Sequence, residues 1–339
     1  MCLTDRCEKR KLFRILIRAF LSWLLTKSAP GRTRFVVANG VKLQYVDWGG
    51  QGDPLLLLPG LGNDAHVFDS FARRFSDRFR VLALTRRGFG QSDKPKTGYD
   101  VGTRVEDIRR FLDELKIRQV NLVGHSIAGD EMTTFAARHP DRVIKLVYLD
   151  AAIDRHDIAS EMLSDPAASP FSRRLCLEIK GNRRASQIAV ILLLFRGILL
   201  AIALVAVLGP SINKVILALV IIIGWAARNL RRRRATVGCL KAADGFRPNY
   251  QPIMAPALAI YAMSAVHPRA AYALSSAQRK AMNSWFTANA IARMQRSMEQ
   301  FKREMRSGEV VEMPNATHFL FVGRTANEAV AITRAFLLK

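Results

Sequence analysis

The sequence predicts an α/β fold: a mostly parallel sheet with helices on both faces. Three observations carry this. Continuous apolar runs such as "PLLLLPG" at 54–60 and "RVIKLVYLD" at 142–150 read as strands buried on both faces. Stretches of helical length and amphipathic pattern lie between such runs, so strand and helix alternate. The alternation stops near residue 155 and returns near 251, which marks an insertion into one fold rather than a second independent domain.

Each element follows in order. Residues 9–27 read "KRKLFRILIRAFLSWLLTK" and put Lys11, Arg14, Arg18 and Ser22 on one helical face. Apolar residues such as Leu12, Leu16, Phe20 and Trp23 fill the rest, predicting a basic amphipathic membrane anchor over 1–30. A signal sequence is the competing reading, weakened by two arginines inside the apolar stretch. The first part of the core spans 31–155. It opens with two alternating runs around Asn39-Gly40, a hairpin signal. A helix around His66–Phe75, the strand "RVLAL", a helix around Val105–Leu115, the strand "QVNLVG", a helix from Ile127 and the strand at 142–150 follow. The second part, 251–339, has the strand "PALAIYA" (Pro256–Ala262), a polar-faced helix near Ser275–Arg306, the strand "EVVEMP" and a last helix from Thr325.

The insertion, 156–250, has a different character. Two apolar runs, 188–208 and 212–228, are separated by Gly209-Pro210. The first is as long as the ~20 residues that cross hydrocarbon, although Arg196 lies near its middle; the second is short. Both flanks, "KGNRR" and "RNLRRRR", are basic. Both halves of the sheet must share one side of any membrane, so the insertion crosses an even number of times or not at all. The positive-inside rule puts the folded domain on the cytoplasmic side. The expectation is a membrane-inserted helical hairpin; an apolar lid packed on a soluble core is the alternative.

Charge agrees with that picture. The 339 residues carry a formal net charge of +24, of which residues 1–34 supply +7 and residues 171–247 supply +12. Basic charge beside apolar runs points to anionic lipid rather than nucleic acid, and no nucleic-acid partner is expected. Cys2, Cys7, Cys176 and Cys239 form no CxxC, and the histidines show no metal-ligand spacing, so no metal or cofactor is expected.

Five segments bear on chemistry: "LLLLPGLGNDAHVFD", "LTRRGFGQSDKP", "NLVGHSIAGDEM", "LVYLDAA" and "MPNATHFLF". Together they resemble the α/β-hydrolase superfamily over about residues 34–155 and 251–339. The resemblance implies a lid inserted after the sixth strand and a nucleophile–acid–histidine set at the sheet edge. Ser126, in Gly124-His125-Ser126-Ile127-Ala128-Gly129, matches the nucleophile at a strand-to-helix turn. Ala128 stands where the motif usually has Gly. A serine there disfavours the reactions of relatives with an aspartate nucleophile, the epoxide hydrolases and haloalkane dehalogenases. His318 matches the base.

The acid is displaced. No Asp or Glu lies between Asp244 and Glu299, where most relatives place it after the seventh strand. Asp150, ending the sixth strand, is the assigned acid, with Asp154 as the fallback. The resemblance implies an oxyanion site formed by the backbone N–H groups of Ile127 and Leu61. Arg87, Gly88, Gly90 and Ser92 read as a structural turn, and Asp130 and Glu131 as first-turn acids suited to the helix dipole.

The reading is a membrane-associated serine hydrolase that cleaves a carboxylic ester, lipid-like in character, through an acyl-enzyme. Two alternatives remain open: a catalytically weak, membrane-bound binding module, motivated by the empty acid position, and a cofactor-free reaction such as C–C hydrolysis or perhydrolysis.

Overall fold

A computed structural model describes residues 31–164, 170–208, 212–263 and 291–339. The expected anchor over 1–30, the Gly209-Pro210 turn and the first part of the Ser275–Arg306 helix lie outside the described residues.

Among the described residues eight strands form one sheet: β1 (Arg32–Ala38), β2 (Val41–Gly49), β3 (Pro54–Leu58), β4 (Arg80–Leu84), β5 (Val120–His125), β6 (Val143–Leu149), β7 (Ala257–Ala262) and β8 (Gly308–Met313). Their order is β1-β2-β4-β3-β5-β6-β7-β8. The β1–β2 and β2–β4 ladders are antiparallel; every later pairing is parallel. The β1–β2 hairpin turns at Asn39 (φ 51°) and Gly40 (φ 71°), two positive dihedrals that Asn-Gly accommodates at low steric cost.

The alternation of side chains along each strand divides the core in two. On β3, Leu56 and Leu58 enter one apolar cluster with Phe111, Met132 and Phe301. Leu55 and Leu57 enter the opposite cluster with Phe68, Phe321 and Phe336. Both faces are thus covered, which is why this strand reads as an unbroken leucine run.

The core helices are α1 (Val101–Glu114) and α2 (Ala128–Arg138), with α7 (Ile291–Glu304) and α8 (Ala326–Leu337) after the insertion. Helix α1 starts a turn earlier than its apolar pattern suggests, because the Asp100 side chain caps it by accepting from the Thr103 N–H at 2.8 Å. The segment expected as a helix at 66–75 is shorter: a 3-10 turn Ala65–Phe68 runs into a single turn Asp69–Ala72. Phe68, Phe71 and Phe75 are all buried there, so core packing rather than helix length holds this loop.

Among the described residues, four helices stand between β6 and β7: α3 (Ile158–Ser164), α4 (Pro170–Ile179), α5 (Arg183–Leu208) and α6 (Ile212–Asp244). Helices α5 and α6 contain the two apolar runs and pack against each other. Among the described residues no helix is long and apolar enough to cross a membrane. The membrane-inserted hairpin and its transmembrane helix are therefore not supported. Two physical features oppose them. Arg196 interrupts the first run, and the second run continues without a break into an arginine-rich half of α6 that packs on the core. There Ala235, Cys239 and Ala243 are buried against Phe89, Tyr99 and Ile127.

Candidate active site

The β5–α2 connection is tight. Ser126 takes φ 56°, a left-handed conformation that costs a non-glycine residue about 1–2 kcal/mol and must be held by its surroundings. Its own N–H donates to the Leu149 carbonyl at 3.3 Å, and its carbonyl accepts from Gly129 N–H at 3.0 Å. The flanking glycines are required by close packing. A Cβ on Gly129 would fall on the Ala151 carbonyl, and one on Gly124 would meet the Met132 side chain. The Pro59-Gly60 loop also lies directly on the turn: a Cβ on Gly60 would come within 3.1 Å of Ser126 Cβ.

Asp150 follows β6 and shares the backbone peculiarity, with φ 49°. Its N–H donates to the Ile260 carbonyl at 2.7 Å, tying it to β7. One carboxylate oxygen, Oδ1, accepts from the Ala262 N–H at 3.1 Å. The other, Oδ2, lies 2.6 Å from Nδ1 of His318. Asp150 is buried, whereas the His318 side chain is 40% exposed. This geometry makes Nδ1 the protonated nitrogen of His318 and leaves Nε2 as its basic one. Asp154, by contrast, is engaged elsewhere: its Oδ1 accepts from the His156 N–H at 2.8 Å, and its carbonyl accepts from Arg293 at 2.6 Å.

His125, the last residue of β5, links the two loops. Its Nε2–H donates to the His318 carbonyl at 2.8 Å, and the two rings lie 4.5 Å apart. Its Nδ1 is buried without a partner. Burial, and then the neighbouring His318, push its pKa well below the ordinary histidine value, so His125 stays neutral. No hydrogen bond joins Ser126 to His318 among the described residues; in unliganded sites such contacts are often loose. The backbone N–H groups of Leu61 and Ile127 donate to no protein acceptor among the described residues. Both residues belong to the small cluster beneath α6.

A buried charge network, not foreseen as such from the sequence, supports the site. Glu131 accepts from Arg86 at 2.5 and 3.1 Å and from Arg104 at 2.8 Å. Arg86 also donates to the Pro59 carbonyl at 3.0 Å, so it braces the Pro59-Gly60 loop against helix α2. Arg87 pairs with Asp107, and Ser92 bonds the Gln44 N–H at 2.9 Å, consistent with a structural turn there. Asp130 accepts from Arg155 at 3.1 Å; burial pushes its pKa up to about 6, with Arg155 opposing. Asp130 and Glu131 do lie in the first turn of α2, but both are buried and paired, so counter-charge rather than the exposed helix dipole accounts for them. The only hint in the sequence was that two acids entered a helix otherwise facing the core.

The family described as the α/β hydrolase fold matches residues 53–174. The 2-(acetamidomethylene)succinate hydrolase of Mesorhizobium japonicum is 38% identical over 101 residues, 30% of this chain and 36% of that protein. A non-heme chloroperoxidase of Streptomyces lividans is 36% identical over 117 residues, 34% of this chain and 42% of that protein. The chain thus spans well under half the length of these curated relatives. The crystal structure of an enol-lactonase from Burkholderia xenovorans superposes with a TM-score of 0.55 at 20% identity, over 90% of this chain and all of that one.

Proposed function

This chain belongs to the α/β-hydrolase superfamily, and on that premise we propose that it is a serine hydrolase that cleaves a carboxylic ester through an acyl-enzyme. The observation that carries this is the 2.6 Å Asp150–His318 hydrogen bond beside a serine held at positive φ. In this reading Ser126 Oγ attacks the ester carbonyl carbon while its proton passes to His318 Nε2. The carbonyl electron pair moves to oxygen, and the negative charge is met by the N–H groups of Leu61 and Ile127. Asp150 stabilises the imidazolium. Collapse expels the alcohol, which takes the proton from Nε2. Water then attacks the acyl-serine, giving a proton to His318, and the carboxylic acid leaves as Ser126 recovers its proton.

A fluorophosphonate probe on the full chain tests this. Labelling is expected in the parent and absent in Ser126→Ala. Asp150→Asn should lower ester turnover by about 10²–10⁴-fold, and Asp154→Asn by less than about threefold, since Asp154 has no contact with His318. Absence of labelling in folded protein would sink the proposal. Equal, small effects of the two Asn variants would sink the assignment of the acid.

A second reading, perhydrolysis, is favoured by the similarity to a non-heme chloroperoxidase. It keeps the same acyl-serine but lets hydrogen peroxide, rather than water, take the acyl group. Peroxide-dependent peracid formation from acetate, with no turnover on an ester panel, would select it.

The same proposal includes attachment to the surface of an anionic membrane rather than passage through it. Ile191, Phe195, Ile198 and Ile202 recur at helical spacing on α5 and are 55–61% exposed. Arg228, Arg231 and Arg234, all exposed, follow the apolar half of α6. An exposed apolar stripe beside basic side chains suits an interfacial helix.

A further inference from the structure

A cavity of about 550 Å³ lies within the lid, between α4, α5 and α6. That volume is within the ~300–1,000 Å³ usual for small-molecule sites. Ser126, Asp150 and His318 do not line it. Its charged lining is one-sided: Arg174, Arg196, Arg232 and Arg233 face a single acid, Glu178. Glu178 is already paired with Arg233. Arg232 donates to the Gly62 carbonyl at 3.3 Å, a neutral acceptor, and pairs with no carboxylate among the described residues. Leucine and aromatic side chains, Leu175, Leu192, Leu193 and Phe195, complete the wall with Val237. Guanidinium groups match the planar fork of a carboxylate. The apolar wall next to them suits an alkyl chain and disfavours a fully hydrated anion.

We propose that this lid cavity is a second binding site, separate from the triad, for a single-chain alkyl carboxylate. The choice of carboxylate over other oxyanions rests on the ester-hydrolase reading, whose released acid has this chemistry. Helix α6 links the cavity to the Leu61 loop. Arg232 reaches Gly62, next to Leu61, while Ala235 and Cys239 of the same helix pack in the cluster that holds Leu61 and Ile127. An acid held there occupies the lid without occupying the triad.

Sodium dodecanoate, titrated calorimetrically below its micelle concentration into the full-length Ser126→Ala chain, tests the site. Dodecyltrimethylammonium, with the same chain and the opposite charge, and acetate, with the same head and no chain, are the comparison probes. One dodecanoate is expected to bind at least tenfold tighter than either. Arg174→Gln with Arg196→Gln should weaken it at least tenfold, and Val237→Trp, which fills the cavity, should do so independently. If the double variant does not fold by circular dichroism, the paired Lys substitutions replace it and should retain part of the affinity. Equal affinity for the ammonium probe, or dodecanoate binding unchanged in the folded arginine and Val237→Trp variants, would overturn the proposal. The two readings fail separately. Probe-labelled Ser126 with no dodecanoate binding removes the cavity site alone. Dodecanoate binding with unlabelled Ser126 removes the ester reading.

Discussion

Two non-glycine residues at adjacent strand ends, Ser126 and Asp150, hold positive φ, and each is fixed by a backbone bond to the next strand. Backbone strain of this kind persists only where packing over-determines it, and it concentrates at functional sites. His125 makes a related demand on its surroundings. Its pKa is lowered by burial and by His318, so above the unfolded value of about 6.5 both states are neutral and its stabilising contribution is complete. As pH falls below that value the unfolded chain takes a proton that the folded one refuses, and stability is lost. His125→Asn should therefore be less stable than the parent at pH 7.5, with the gap narrowing by about 1.4 kcal/mol at pH 5.5, one pH unit below the unfolded value. Urea midpoints at the two pH values measure this. A gap independent of pH would show that His125 is not buried as the neutral form.

At the scale of elements, the junction of β5, α2 and β6 is the critical one. Helix α2 begins where Gly129 meets the Ala151 carbonyl, next to Asp150. Gly129→Ala should push α2 away from β6, cost about 1–3 kcal/mol as an overpacking change, and slow fluorophosphonate labelling at least tenfold. Thermal unfolding and labelling rate check the two parts; wild-type values for both would mean that the β5–α2 turn is not tightly packed. The β5–α2 turn was readable in the sequence because its glycines and its strand-to-helix change are local. The role of Glu131 was not readable, because its partners Arg86 and Arg104 lie 45 and 27 residues away, on other elements. Helix α1 begins a turn before its apolar pattern for a related reason: the Asp100 cap acts through hydrogen bonding, not through apolar periodicity.

For the whole molecule, charge and apolar surface gather at the lid. The full chain should sediment with phosphatidylcholine vesicles containing phosphatidylglycerol, and much less with pure phosphatidylcholine. Binding should fall in 0.5 M salt as the Debye length shrinks to a few ångströms, and alkaline carbonate should release the protein. Retention after carbonate would restore a spanning hairpin, and binding that ignores lipid charge would remove the electrostatic part. The lengths and hydropathy of the two runs suggest a membrane-inserted hairpin, yet among the described residues no helix is long and apolar enough to cross a membrane. An apolar helix in sequence looks the same whether it faces lipid, a neighbouring helix or solvent.

Local periodicity was sufficient to determine the alternating strands and helices and the Asn39-Gly40 hairpin, while the short set of residues from which a site could be built came from the resemblance of short motifs to a known family. These depend on neighbours a few positions apart. Only the tertiary structure decided that Asp150 and not Asp154 meets His318, a contact across 168 residues. The same holds for the side of the Pro59 loop that Arg86 braces and for the gathering of four arginines around one open cavity between α4, α5 and α6. Those outcomes depend on how strand ends are aligned across the sheet and on which helix faces are covered. The packing of the entire chain sets both.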